Sequence, residues 1–145
     1  MAAIHAEQYW LFKLEIRSSK CETISNAPGR KSKTIDLEDR TFAFAKWTRS
    51  FVKSLSKTIG NIEDARQLIR SSGSVGSNYI EANESLSKKD FVLRIKICRK
   101  EAKESRYWLR LIETNDGKIA VARDLLVQEA QELMNIFGAI VRKSE

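Results

Sequence analysis

The chain has few of the residues that build metal sites and hydrolytic active sites. Its 145 residues include one histidine and two cysteines. His5 lies near the N-terminus, and the separation of Cys21 from Cys98 fits neither a C-x-x-C pair nor a zinc array. We therefore expect no metal, no other cofactor and no histidine-based catalytic triad. Two thiols, one of them on an apolar helix face, suit a reducing cytoplasm.

Long apolar runs are also missing, and proline occurs once. No run approaches the roughly 20 apolar residues that a membrane-spanning helix needs. Residues 9–12 are followed at once by Lys13, so they make a poor signal-peptide core. Pro28 lies in a loop-like segment, residues 25–33, that divides an N-terminal extension at residues 1–35 from the rest. The extension contains apolar residues at alternate positions, namely Trp10, Phe12, Leu14 and Ile16. This alternation favours a β-strand, and a single strand needs a pairing partner or stays mobile.

Positive charge is what the chain has in excess. The formal net charge is +7 at pH 7, with 42% hydrophobic and 31% charged residues, a composition that suits a soluble protein with a core. A basic balance of this size favours an anionic partner such as RNA, DNA or an acidic protein surface. The alternative is that the charge only keeps the protein soluble.

After Thr34 the chain has no proline, and four amphipathic segments predict four helices. The first begins at Asp36, whose side chain can cap it, and ends near Gly60. The second takes Asn61 as its cap and continues to about residue 85. One face of the first helix is predicted to be buried, through Phe44, Thr48, Phe51, Leu55 and Ile59.

The middle of the second helix, residues 71–77, is rich in glycine and serine. Each glycine inside a helix costs about 1 kcal/mol relative to alanine, so we predict that close packing against a neighbouring backbone compensates. The alternative is a loop that splits the helix. A KH-type G-x-x-G loop at residues 73–76 is disfavoured because no flanking strands are readable, and no G-K-[ST] follows for a P-loop.

The third and fourth helices have the clearest patterns. Ser87 and Asp90 form an S-x-x-D start signal, and a turn is predicted at residues 115–118. The seam of the third helix is Phe91, Ile95, Cys98, Ala102, Ser105, Leu109 and Ile112. The fourth, from about Ala120 to Arg142, has the seam Leu126, Ala130, Leu133, Phe137 and Ile140. Apolar residues beside that seam hint at an interface between subunits: Leu125, Met134, Ile136 and Val141.

Four such helices with short connections predict an all-α fold, an antiparallel up-down-up-down four-helix bundle over residues 36–143. A polar cluster is expected inside the second helix. Such a cluster could be a site, but it more often forms a satisfied network that sets helix register, and we favour that structural role. Its members are Arg70, Ser74, Asn78 and Glu81.

The outer face of the third helix carries a dense basic cluster. Only Lys100 has an acid, Glu104, at helical spacing, and like charges at that spacing each cost a few tenths of a kcal/mol. An anionic surface would relieve the repulsion, since arginine and lysine contact phosphate and an aromatic ring stacks on a base. The alternative is a solvated face, or pairing with acids of another helix or subunit. The candidate nucleic-acid-binding residues are Lys96, Arg99, Lys100, Lys103, Arg106, Tyr107 and Arg110.

Several of these segments carry a family resemblance. The run RSSGSVGSN at 70–78, Glu81, SKKDF at 87–91 and KEAxESxYWL at 100–109 together resemble the four helix bundle protein family. That family was first recognised in reading frames within intervening sequences of bacterial 23S ribosomal RNA genes. Its typical core is Asn-Ile-Ala-Glu-Gly; here residues 78–82 read NYIEA, so asparagine and glutamate are kept while the other three differ.

The resemblance implies a bundle that assembles as a homo-oligomeric ring, commonly a pentamer, in the bacterial cytoplasm. It implies no catalytic residue, because the family has none established. A basic pentameric relative in diversity-generating retroelements works with a reverse transcriptase and binds nucleic acid, and that role extends to this chain only by analogy.

Two functions remain open. The first is a non-enzymatic, oligomeric nucleic-acid-binding protein that uses the third helix, with RNA favoured over DNA. The second is a protein-interaction scaffold whose basic face meets an acidic protein without touching nucleic acid. An enzyme is not expected, because no base, nucleophile or metal stands at workable spacing.

Overall fold

The computed structural model of the protein describes residues 36–145, and nearly all of them are helical. Residues 1–35, with the predicted strand, His5 and Cys21, lie outside the described part. No strand occurs within it. The helices are α1 (Leu37–Lys53), α2 (Ile59–Asn83), α3 (Lys88–Leu111) and α4 (Gly117–Ser144).

The four helices form one antiparallel bundle. Each packs against the next along the chain, and α1 also packs against α4, which closes the bundle. Residues 54–58, 84–87 and 112–116 make the connections, and links this short turn the chain back on itself. The predicted up-down-up-down four-helix bundle is confirmed. None of these helices is both long and apolar enough to cross a membrane.

Side-chain caps fix where the helices begin. The Asp36 carboxylate accepts a hydrogen bond from the Glu38 N–H at 3.2 Å, and the Ser87 hydroxyl accepts one from the Asp90 N–H at 3.1 Å, as predicted. Asp116 caps α4 by accepting from the Lys118 N–H at 2.8 Å. The fourth helix therefore begins at Gly117, three residues before the predicted start.

The predicted boundary between the first two helices is wrong. The Ser54 hydroxyl donates to the Phe51 carbonyl at 2.6 Å, and this local bond marks the end of α1. Thr58, not Asn61, caps α2, and Ile59 is 84% exposed. Asn61 is buried instead: its amide exchanges two hydrogen bonds with the Glu113 backbone, which ties the first turn of α2 to the α3–α4 connection.

The core follows the predicted seams closely. In α3 every predicted seam residue is buried except Phe91, which is half-buried. In α4 the first four seam residues are buried, while Ile140 is half-buried and Val141 takes a buried position beside it. The largest buried apolar side chains are Phe44, Phe137, Leu68, Ile95, Leu109, Ile112 and Leu133.

The glycine- and serine-rich stretch is an uninterrupted part of α2, so the loop alternative is wrong. A methyl group on Gly76 would lie 3.3 Å from the Thr41 hydroxyl oxygen, because α1 approaches α2 closely there. On the other side, the buried hydroxyl oxygens of Ser71 and Ser105 are 2.8 Å apart and share a hydrogen bond. Small side chains thus permit close packing on two sides of α2, as predicted.

Candidate nucleic-acid interface

The predicted basic residues lie outside the buried seam of α3, on one side of the helix. This arrangement follows from the 3.6-residue period, which keeps Ile95, Cys98 and Leu109 inside while the cations point outward. Lys100 is 74% exposed and Tyr107 is 56% exposed. Arg106 is the one half-buried member of the face; its exposed members are Lys96, Arg99, Lys100, Lys103, Tyr107 and Arg110.

Two of these cations have an acidic partner. The Lys96 ammonium lies 2.6 Å from the Glu145 carboxylate at the end of α4. The hydrogen bond from Lys96, with its charge, lowers the pKa of the Glu145 carboxyl. The Lys100 ammonium lies 3.9 Å from the Glu101 carboxylate. Pairing with another helix, the alternative considered from the sequence, thus applies to Lys96.

Glu104 does not form the ion pair with Lys100 that the helical spacing suggested. Its carboxylate accepts a hydrogen bond from the Trp108 indole N–H at 3.3 Å instead. The Trp108 ring also meets the Tyr107 ring edge to face, with ring centroids 4.9 Å apart. This contact orients Tyr107, an exposed aromatic ring beside the cations.

The other four cations of the face make no salt bridge within residues 36–145. They are Arg99, Lys103, Arg106 and Arg110. Arg110 lies in the last turn of α3, where the helix dipole favours a cation. The face therefore offers several charges to an anionic partner.

A further arginine, absent from the predicted site, joins this face from α4. The ideal position of a Cβ atom on Gly138 lies 3.4 Å from Nη1 of Arg142 and 3.5 Å from Nε of Arg99. Two guanidinium groups, one from each helix, therefore converge over this glycine. The sequence contains a hint, since Gly138 and Arg142 are one helical turn apart, but it does not show which residue of α3 faces them.

The predicted polar cluster of α2 is organised around Arg94 of α3. The Arg94 guanidinium forms a salt bridge with Glu81 and donates to the Asn78 side-chain oxygen at 3.3 Å. Asn78 also donates to the Ser74 backbone carbonyl at 2.9 Å, so Ser74 contributes its main chain. Arg70 makes none of these hydrogen bonds and is near enough to influence Glu101. The group is half-exposed and links α2 to α3.

A second surface lies between α1 and α2. It is a groove of about 820 Å³, next to Gly73 and Gly76, with Phe42 68% exposed and Ile80 48% exposed along it. Carboxylates lie toward one end, and Lys46 and Arg49 toward the other. The apolar residues beside the seam of α4, predicted to form an interface between subunits, are less exposed than Phe42 and Ile80. Leu125, Met134 and Ile136 are half-buried, and Val141 is buried.

Metal ligands and reactive thiols can be checked directly in the described part of the chain. No three His, Cys, Asp or Glu side chains between residues 36 and 145 cluster closely enough to hold a metal ion. Cys98 is fully buried, and burial raises the pKa of its thiol to about 12. Since the thiolate is the reactive form, this cysteine is inert while the bundle is folded.

Fold and surface together define a class, namely a small antiparallel four-helix bundle that turns an open basic face outward. A family model for the 23S rRNA-intervening sequence protein matches residues 33–139. The chain belongs to that family, as the resemblance of its α2 and α3 segments indicated.

Among solved structures, the chain is similar to a protein of unknown function from the S23 ribosomal protein family of Bacteroides thetaiotaomicron. The identity is 23%, the match covers 73% of this chain and 98% of the other, and the TM-score is 0.62. At that identity the likeness supports the fold alone. No curated protein matches the chain.

Proposed function

We propose that the protein is a non-enzymatic, basic homo-oligomer of the bacterial cytoplasm that binds nucleic acid, RNA in preference to DNA, through the outer face of α3. The observation that supports this proposal most directly is the set of four cations on that face without an acidic partner in the described chain. Lysine and arginine gain affinity by neutralising phosphates and releasing condensed counterions. Tyr107 adds an exposed ring on which a base can stack.

The preference for RNA rests on the ring beside the charges and on the family's place within ribosomal RNA genes. Unpaired bases of structured RNA can stack on an aromatic side chain, whereas bases of duplex DNA are already stacked. The described face consists mainly of lysine and arginine side chains, which contact phosphate groups, and phosphate contacts carry no sequence information. Binding is therefore expected to depend on charge more than on sequence.

The test is reversal of three lysines, Lys96, Lys100 and Lys103, to glutamate. Retention of a labelled single-stranded RNA should fall strongly, and the slope of log affinity against log salt should decrease by about 2, at roughly 0.7 per lost phosphate contact. Fluorescence anisotropy across a salt series measures both quantities.

A matched control reverses three cations elsewhere on the bundle, Lys53, Lys57 and Arg66, which are exposed on the α1–α2 side. Both variants change the net charge equally, so long-range attraction alone would weaken binding equally. Unchanged RNA retention in the α3 variant, or equal losses in the two variants, would contradict the proposal.

We also propose that the homo-oligomer is a ring, with five subunits favoured by the family resemblance, and that a second copy of the chain covers the α1–α2 groove. Phe42 and Ile80 are too exposed to serve the core of a single subunit. Acidic and basic ends of the groove give another copy a complementary charge pattern to meet. A ring would also repeat the basic face around its axis and raise avidity for a long polyanion.

The mass in solution tests this assembly. Phe42→Lys should lower the mass measured by light scattering, whereas Ile59→Lys, at another exposed apolar residue outside the groove, should leave it unchanged. A wild-type mass equal to one chain, or identical masses for the two variants, would rule the assembly out. An acidic protein that co-purifies after nuclease treatment would instead favour the scaffold role.

A further inference from the structure

Two arginine side chains of different helices meet over Gly138. Nε of Arg99 and Nη1 of Arg142 both lie within 3.5 Å of the point where a Cβ atom of residue 138 would stand. Gly138 itself is buried beneath them, while both arginines are exposed. Because Gly138 has no side chain, the two guanidinium groups lie directly on the backbone of α4, and their outward sides are open to solvent.

These two charges lack a compensating acid in the described chain. Neither Arg99 nor Arg142 makes a salt bridge or a side-chain hydrogen bond there, although Glu145 is one turn from Arg142. The carboxylate of Glu145 contacts Lys96 instead. Two neighbouring guanidinium groups repel each other, and an oxyanion between them would turn that repulsion into attraction.

We propose that Arg99 and Arg142 together bind one phosphate of a nucleic-acid backbone, with Gly138 keeping the space above α4 clear. The inference rests on the proposed function and sharpens it, because it adds a residue of α4 to a site predicted on α3 alone. A guanidinium group presents a planar fork of donors that matches a tetrahedral oxyanion. Two such forks from different helices can hold one phosphate from two sides.

The first experiment compares two neutralising variants that are adjacent in the chain. Arg142→Gln should weaken binding of a mixed-sequence single-stranded RNA by about tenfold, as expected for a lost charged hydrogen bond. Lys143→Gln also removes one positive charge from the last turn of α4, but Lys143 is not one of the two side chains that meet over Gly138. This variant should change binding less than about twofold. Equal effects of the two variants would overturn the proposal.

The second experiment leaves the charge unchanged. Gly138→Leu should displace both guanidinium groups and weaken binding about as much as Arg142→Gln. Gly138→Ala is its control, because a methyl group there meets the arginines at ordinary contact distances of 3.4–3.7 Å. If circular dichroism shows that the leucine variant does not fold, Arg142→Lys replaces it, since lysine keeps the charge and loses the fork. Wild-type affinity in whichever of these two charge-preserving variants folds, Gly138→Leu or Arg142→Lys, would overturn the proposal.

A phosphate titration separates this inference from the proposed function. Inorganic phosphate should shift the side-chain Nε–H resonances of Arg99 and Arg142 in nitrogen–proton NMR spectra, and these shifts should vanish in Gly138→Leu. If the wild type binds RNA but these resonances do not respond to phosphate or RNA, the arginine site is wrong and the function stands. If they respond to phosphate while RNA does not bind, the proposed function fails and the nucleic-acid assignment of the site fails with it.

Discussion

Two contacts between helices hold this bundle together in different ways. The α2–α3 contact runs along both helices and is built from small residues, with the Ser71 and Ser105 hydroxyl groups sharing a hydrogen bond in the core. The α1–α4 contact is much less extensive. It is built around Arg40 of α1, whose Nε donates to Glu129 at 2.7 Å and whose Nη2 donates to Glu132 at 2.6 Å.

Two ions of the α1–α4 contact, Arg40 and Glu129, are almost as inaccessible as the serines of the α2–α3 contact. Arg40 is 5% exposed and Glu129 is 1% exposed. Burial lowers the pKa of the Arg40 guanidinium, but the hydrogen bonds and charges of Glu129 and Glu132 outweigh burial, so the net pKa is raised and the group stays charged. The α2–α3 contact therefore gains stability from close packing, whereas the α1–α4 contact depends on mutual compensation of charges.

The largest expected effect comes from breaking that compensation. Arg40→Leu removes the arginine that pairs with the buried Glu129 carboxylate, and should lower the free energy of unfolding by about 3–5 kcal/mol. Urea denaturation followed by circular dichroism at a fixed protein concentration measures the loss. Glu129→Leu added to Arg40→Leu should recover part of it, since the buried carboxylate that lost its arginine is then also removed. A loss in the single variant below about 1 kcal/mol would show that the ion pair does not hold α1 in place.

A smaller loss of unfolding free energy is expected when the α2–α3 contact is forced apart. Ser105→Leu forces a large side chain between two helices that pack through serines, and should cost about 1–3 kcal/mol. Arg66→Leu also introduces a leucine into α2, at an exposed position outside the α1–α2 groove, and should shift the unfolding free energy by less than about 0.5 kcal/mol. If Ser105→Leu is tolerated as well as Arg66→Leu, the contact is less tightly packed than its hydroxyl distance indicates.

Buried hydroxyl groups extend the comparison to α1. Thr48 is fully buried, and its hydroxyl oxygen has no hydrogen-bond partner within residues 36–145, in contrast to Ser71 and Ser105. Thr48→Val keeps the shape and removes the unpaired group, so it should stabilise the fold by about 1 kcal/mol. Ser105→Ala is the comparison, because it removes a paired hydroxyl and should destabilise. Thermal unfolding measures both effects as shifts in melting temperature. Shifts of the same sign in Thr48→Val and Ser105→Ala would contradict the prediction.

Helical period made the α2–α3 contact predictable from sequence. The seam of α3 recurs at steps of three and four residues, and a repeat this strict fixes which side is buried. The same period placed Lys103 and Arg110 outward. Glycine and serine in α2 pointed to close packing because small residues compensate a poor helix propensity only when a neighbour approaches.

Contacts that join distant segments were not predictable in this way. Nothing in the spacing around Arg40 indicates that Glu129 will face it, because the pairing depends on how α1 lies against α4. The same holds for Arg99 and Arg142, which converge only after α3 and α4 pack. The end of α1 was missed for a local reason, since Ser54 bonds the preceding turn while the apolar period continues past it.

The smallest expected effect depends on pH and concerns Glu101 of α3. Burial, and then the charge of Glu104, raises the pKa of the Glu101 carboxyl, while Lys100 and Arg70 oppose that rise. An acid whose pKa is higher in the folded state binds more protons there than in the unfolded chain. Ionised Glu101 therefore destabilises the fold, and this cost develops as the pH rises above the ordinary value of 4.5.

Glu101→Gln removes the charge and should raise the free energy of unfolding at pH 7 relative to the wild type. The advantage should shrink as the pH falls, and disappear below the ordinary carboxyl pKa, because the wild-type side chain is then neutral in both states. Urea denaturation of both proteins from pH 7 down to pH 4 measures the difference. Glu84→Gln, at an exposed acid outside the helix contacts, serves as the control. A Glu101→Gln protein that is less stable at pH 7 would mean that Lys100 and Arg70 outweigh burial, and that the α2–α3 contact also relies on charge.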